Sequence, residues 1–316
     1  MEACRLRVPG SGGNGKRGPI RSRRSGWTLY AFAVCLAVLS GLAHSLWNLF
    51  AKRSGDKAVF LWVMSAPSTL LLLPVLLCEL AASELPAAAW AGIALSLAVQ
   101  VCSAKLLVLS YRLGDLSQVY PVMRGTVVLA APVTGTTLFG ETLTLRDWAG
   151  ILIIFAGVLT MGFGGGGGNS GSGGKASAAR GWKPLLAAAA TGLCITAYLA
   201  ADKFNLRYLS PWSVLEIANI GYMIPLTPAV FSAGRFRKEW RASRTGLLWA
   251  FALSPAAYLL FLFAIRSAPL SLISPVREIA LVFAALFGIL ILKEGRGAVR
   301  LLASLLILSG VFVVQL

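Results

Sequence analysis

The sequence predicts an all-α polytopic membrane protein, with ten transmembrane helices arranged as two inverted five-helix repeats, on three observations. Of 316 residues, 57% are hydrophobic and only 13% are charged, and the mean hydropathy is +0.76, well away from soluble-domain averages. The apolar residues fall in long Leu/Ala-rich runs near the roughly 20 residues that a bilayer-spanning helix needs. They do not alternate over ten-residue segments as barrel strands do. A Gly/Ser-rich stretch divides the runs five and five, and short phrases recur on either side of it.

Taken in order, residues 1–26 form a basic tail with no apolar period, holding Arg5, Arg7, Lys16, Arg17, Arg21, Arg23 and Arg24. Such a composition predicts disorder. Its SRRSG at 22–26 loosely resembles a twin-arginine signal, but the many later spans make the first apolar run a retained one. Spans one to five are expected near 28–50, 58–78, 89–110, 118–139 and 145–163, which make the first repeat, 28–163. Residues 164–182 read as a flexible Gly/Ser-rich linker. Spans six to ten are expected near 184–203, 212–232, 245–265, 271–292 and 299–315, within a second repeat of 183–316.

The halves align residue by residue. At an offset of 154 (275 minus 121), Arg112, Leu116, Ser117, Pro121 and Val122 match Arg266, Leu270, Ser271, Pro275 and Val276. Pro74 answers Pro228 at the same offset. One residue less, 153, pairs Glu141 with Glu294, Gly157 with Gly310 and Val158 with Val311. At 151, Ser45, Trp47 and Lys52 answer Thr196, Tyr198 and Lys203. Because each repeat holds an odd number of spans, the second copy enters the membrane in the opposite orientation.

The net charge of +17 sits in the tail and at span ends, where it meets solvent and anionic headgroups. No nucleic-acid partner is expected. The five cysteines form no CxxC pair, and four lie within apolar runs, as small hydrophobes do. GSGGNGKR at 10–17 has phosphate-loop spacing, but Arg17 replaces the required Ser or Thr and no strand precedes it. With one histidine and no clustered acids, neither a metal centre nor a Ser-His-Asp triad is expected. The chain therefore reads as a non-enzyme with no cofactor and no metal.

The phrases AHSLWNLFAKRSGD (43–56), YRLGDLSQVYPVMR (111–124) and FGETLTLRDWAGILIIFAGV (139–158), with echoes AIRSAPLSLISPVRE (264–278) and LKEGRGAVRLLASLLILSGV (292–311), resemble the EamA-type branch of the drug/metabolite transporter superfamily. The resemblance covers roughly residues 28–315 and implies a transporter of small metabolites or drugs, often an exporter.

An ionisable group within the bilayer costs at least about 2.5 kcal/mol, so such groups are functional candidates. Of twelve acids, all but Glu216 and Glu278 lie in the tail or near span ends. Among cations, Lys105, Arg124 and Arg277 are set inside apolar runs, with Lys105 and Tyr111 placed to anchor an interface. Arg124 is about seven residues, hence roughly 10 Å, into the fourth span. Arg277 and Glu278 occupy the matching depth of the ninth, so the charged segments are expected on opposite sides of a midplane cavity. Interrupted helices at matched places mark transporter sites, and Pro74, Pro121, Pro228 and Pro275 are the expected breaks. Further candidate binding residues are Tyr120 beside Pro121, Glu216 with Asn219 one turn on, and His44, Trp47 and Asn48 in the first span.

These residues predict a secondary transporter in the plasma membrane, moving a small anionic or zwitterionic, amino-acid-like metabolite by alternating access. Its expected partners are that substrate, the bilayer and a coupling ion whose identity the residues leave open. A membrane-embedded enzyme on lipid-linked substrates, or an assembly partner, is the alternative. A cytoplasmic N-terminus follows from the tail and the family, yet it sets Arg235, Arg237, Lys238, Arg241 and Arg244 outside, against the positive-inside tendency.

Overall fold

The computed structural model describes residues 19–114, 116–163, 182–291 and 297–316. The start of the basic tail, the Gly/Ser-rich stretch 164–181 and Glu294 lie outside them. The first half holds α1 (Pro19–Arg53), α2 (Lys57–Ala82), α3 (Ala87–Leu113), α4 (Leu116–Phe139) and α5 (Leu145–Phe163). The second holds α6 (Trp182–Asn205), α7 (Pro211–Phe231), α8 (Arg235–Ser267), the short α9 (Leu270–Val276), α10 (Ile279–Leu290) and α11 (Gly297–Gln315). No strand occurs among the described residues. Among them nine spans are long and apolar enough to cross a membrane, with α9 and α10 counting as one. The tenth, α7, has 21 residues, about 31 Å at 1.5 Å per residue, and packs against α2, α3 and α8.

Two boundaries differ from expectation. α1 is described from Pro19, where the described residues begin, so residues 19–26 are helical where the composition suggested a tail without regular structure. α8 begins at Arg235, ten residues before the expected span. Its φ/ψ leave the helical region at Ser243 (φ −137°, ψ 27°), which separates a basic, aromatic first segment from the spanning one.

The prolines do not act as expected. α2, α4 and α7 run through Pro74, Pro121 and Pro228 without interruption; only at Pro275 does a helix stop close by. Membrane helices tolerate proline where neighbours satisfy the freed carbonyl. Pro74 and Pro228 are exposed on the outer surface, whereas the buried Pro121 ring fills the space beside Gly162 of α5, where a Cβ would come within 1.8 Å of it.

Large side chains such as Leu70, Leu71, Leu138, Leu290, Leu305 and Phe312 are exposed, as lipid-facing positions are. The interior is built on close helix approach at small residues. Most of the larger helix contacts are kept when α1, α2, α3, α4 and α5 are exchanged for α6, α7, α8, α9/α10 and α11, although α7 on α8 has no matching α2–α3 contact. Thus α1 on α8 answers α6 on α3, and α2 on α8 answers α7 on α3; α2 with α7, α4 with α9, and α5 with α11 pair across the halves. At the α5–α11 contact, a Cβ on Gly310 would lie 2.7 Å from the Gly150 carbonyl oxygen and 2.8 Å from the Ile154 nitrogen. Both are backbone atoms that cannot swing away. Gly310→Ala is therefore expected to destabilise the protein by about 1–3 kcal/mol through overpacking, measured as a lowered unfolding midpoint in detergent, whereas Gly297→Ala, with its nearest neighbour among the described residues at 4.0 Å, leaves it unchanged.

Candidate functional site

The interruption between α9 and α10 builds the centre of the molecule. Pro275 has no N–H to give, and the chain then tightens into three i to i−3 bonds: Glu278 N to Pro275 O (3.0 Å), Ala280 N to Arg277 O (3.0 Å) and Leu281 N to Glu278 O (2.8 Å). This 3₁₀-like turn sends two neighbouring side chains to different helices. Arg277 reaches α1, where its Nε donates to Ser40 Oγ at 3.1 Å and Ser40 in turn donates to the Ala257 carbonyl of α8 at 2.7 Å. Glu278 reaches α4 and receives Arg124 bidentately: Nε to Oε2 at 2.9 Å, with Nη2 on Oε1.

Arg124 and Glu278 stand 154 residues apart, the offset of the repeat, so matched positions of the two halves meet each other. The expectation of separate charged segments across a cavity is corrected here. Opposite charges at matched positions, withdrawn from water at 7% and 1% exposure, gain most by pairing directly. Arg277 has no such partner. It is 8% exposed, its guanidinium lies 4.5 Å from the Phe261 ring centre and 5.8 Å from that of Tyr258, and no carboxylate pairs with it among the described residues. The aromatic faces stabilise its charge without neutralising it.

The other expected residues divide. Tyr120 and His44 lie within electrostatic reach of both arginines. Trp47 packs edge-on against His44 at 4.8 Å between ring centres and against Phe60 of a separate apolar cluster, and Asn48 donates to the main-chain carbonyl of His44 at 2.9 Å, within its own helix. Asn219 donates to Glu216 at 3.4 Å, and that fully buried carboxylate faces Thr69 of α2 rather than the arginines.

Several central residues escaped the sequence reading. Asp202 of α6 accepts hydrogen bonds from Ser96 Oγ of α3 at 2.6 Å and from the Tyr258 hydroxyl of α8. Tyr198 and Tyr222 face one another beside Ser103, and both amide atoms of the buried Gln100 lack partners. Tyr198 carried a signal, as the repeat match of Trp47. Asp202 carried none, because it lies three residues before the end of α6 and reads as an interfacial acid.

Acids near the helix ends fasten the halves to one another. Glu141, in the turn that Gly140 makes possible with φ +64°, accepts from Leu270 N and Ser271 N, each at 2.8 Å, at the start of α9. Lys203 donates to it at 2.6 Å and to the Ala268 carbonyl at 3.0 Å. Burial alone would raise the Glu141 carboxyl, but the bonds from Lys203 and Ser271 hold it below its ordinary range. Glu79 of α2 caps α7 through Ser210 N and Ser210 Oγ, both at 2.7 Å. At the opposite face Glu239 accepts from Ser54 Oγ (2.8 Å) and the amides of Gly55 and Asp56 (3.1 Å each). Asp56 caps α2 and pairs with Arg235 at 2.7 Å; burial pushes its carboxyl up, and Arg235 and the amides of Val59 and Ala58 bring it below the ordinary value.

The EamA-like transporter family model matches residues 182–316. An "uncharacterized transporter in cobO 3′ region" from Sinorhizobium sp. is 30% identical over 136 residues, which are 40% of this chain and 92% of that relative. This chain belongs to the EamA-like transporter family. A solved crystal structure superposes with a TM-score of 0.69 over 89% of this chain and 95% of its own, at 16% identity, and so shares the fold. The protein is a multi-pass membrane transporter, and the Arg124–Glu278 pair and Arg277 stand where its two halves meet.

Proposed function

We propose that this family member is a secondary transporter of the plasma membrane that moves a small carboxylate-bearing metabolite, anionic or zwitterionic and amino-acid-like, outward by alternating access. The observation that carries the reading is Arg277, a buried guanidinium with aromatic walls and no carboxylate of its own. A substrate carboxylate supplies the missing charge-assisted partner, and a substrate ammonium competes with Arg124 for Glu278. Tyr120 and His44 add polar contacts around it. The exchangeable packing of the two halves supports inverted repeats 28–163 and 183–316 that rock about this centre. Glu141, Lys203 and the start of α9 fasten one face.

Thermal unfolding of the purified protein against a panel of amino acids and their decarboxylated amines tests the substrate class. Carboxylates are expected to raise the midpoint, amines are not, and Arg277→Ala removes the shift. Equal stabilisation by the amines contradicts the reading.

A further inference from the structure

We propose that Asp202 is a proton-binding site that couples substrate movement to a proton gradient; the coupling rests on the transport reading above, whereas the site stands on its own geometry. Asp202 is fully buried. Both its oxygens are held by neutral hydroxyls, Ser96 of α3 and Tyr258 of α8. No cation balances it among the described residues. The adjacent Lys203 turns instead to Glu141 and the Ala268 carbonyl.

The elements packed on α6 are α3, α4 and α8. α3 presents Ser96, α8 presents Tyr258, and the charged group of α4, Arg124, faces Tyr198, one turn before Asp202 on its own helix. A carboxylate removed from water without a cation loses several kcal/mol, and uptake of one proton removes that cost without any further ligand. Two hydroxyls and one carboxylate are also too few oxygens to enclose a calcium-like ion.

The site connects to the substrate centre through one side chain. Tyr258 places its hydroxyl on Asp202 and its ring 5.8 Å from the Arg277 guanidinium. A protonated Asp202 donates from one oxygen where it previously accepted, so a hydroxyl partner must turn. Ser96 turns freely, whereas Tyr258 carries the change to the packing of Arg277. Because Asp202 joins α3 to α8, the two helices exchanged by the packing symmetry, its proton alters the contact between the halves. When the site opens, the proton leaves for water on that side. Glu216, also buried without a cation, reaches only Thr69 and Asn219 and has no path to Arg277.

The first test is pH-difference infrared spectroscopy in nanodiscs. A titrating C=O band of a protonated carboxyl is expected in the wild type and in Glu216→Gln, lost in Asp202→Asn and shifted in Asp202→Glu. The second uses proteoliposomes loaded with a pH-sensitive dye and given a mixture of the common L-amino acids. The wild type is expected to move protons, and Asp202→Asn to lose that signal while keeping counterflow of the same mixture. A band missing from the wild type, or persisting in Asp202→Asn, overturns the site. Proton movement undiminished in Asp202→Asn overturns the coupling. Absence of counterflow in the wild type contradicts the proposed cargo, and the infrared result still decides the site.

Discussion

Truncating either partner of the central pair, Arg124→Ala or Glu278→Ala, is expected to destabilise the protein by about 3–5 kcal/mol, because the surviving charge stays buried without its partner. Transport is lost with it. The reversed pair, Arg124→Glu with Glu278→Arg, is expected to recover most of the unfolding midpoint, since the two positions meet across the halves and the exchanged guanidinium again finds a carboxylate. Unfolding midpoints of the wild type, Arg124→Glu, Glu278→Arg and the reversed pair in one detergent form a double-mutant cycle. A reversed pair no more stable than the single variants contradicts the matched-position account.

That pair shows how far the sequence carried the site. Hydropathy placed Arg124, Arg277 and Glu278 inside spans, and the repeat aligned Glu278 with Arg124. Opposite charges at aligned positions already implied an asymmetric centre. What the alignment did not contain was distance: matched positions either face each other across a cavity or touch, and only the close crossing of α4 with α9 decides for contact. The prolines misled for a related reason. A helix break depends on what satisfies the freed carbonyl, and at Pro121 the ring serves instead to fill the space beside Gly162.

Loss of the Glu141 carboxylate is the second large effect. Glu141→Ala leaves the amides of Leu270 and Ser271 without their acceptor, at about 1–3 kcal/mol for each orphaned donor, and the Lys203 ammonium with the Ala268 carbonyl alone. The face that these groups fasten is then expected to open, read as faster cysteine labelling at Ala268→Cys. Acid has the same effect on the wild type. The Glu141 folded-state value lies below its ordinary 4.5, so its stabilisation is complete above about that pH. It is lost as pH falls through the lower folded value. The gap in unfolding midpoint between wild type and Glu141→Gln should shrink on acidification; the Asp56 contribution, depressed in the same way, cancels because both proteins retain it. A gap that widens in acid contradicts the assignment.

Glu79, Glu141 and Glu239 were legible as residues near span ends and nothing more. Near a membrane face an acid meets either water or the bare amides of a helix start, and composition does not tell these apart. Most of the spans were readable to a few residues, since a lipid-exposed run must be apolar along its whole length. Asp202 stayed hidden because the loop that follows α6 packs inward: Asn205, Leu206 and Leu209 are buried, so a position near a helix end is not a position near water.

Counterflow in proteoliposomes tests the central claim most directly. Vesicles preloaded with an unlabelled amino-acid mixture are expected to accumulate the labelled mixture through the wild-type protein, saturably, and not through Arg277→Ala inserted at the same density. Equal accumulation through both proteins, or none through a wild type that binds carboxylates, would contradict a carboxylate transporter centred on Arg277.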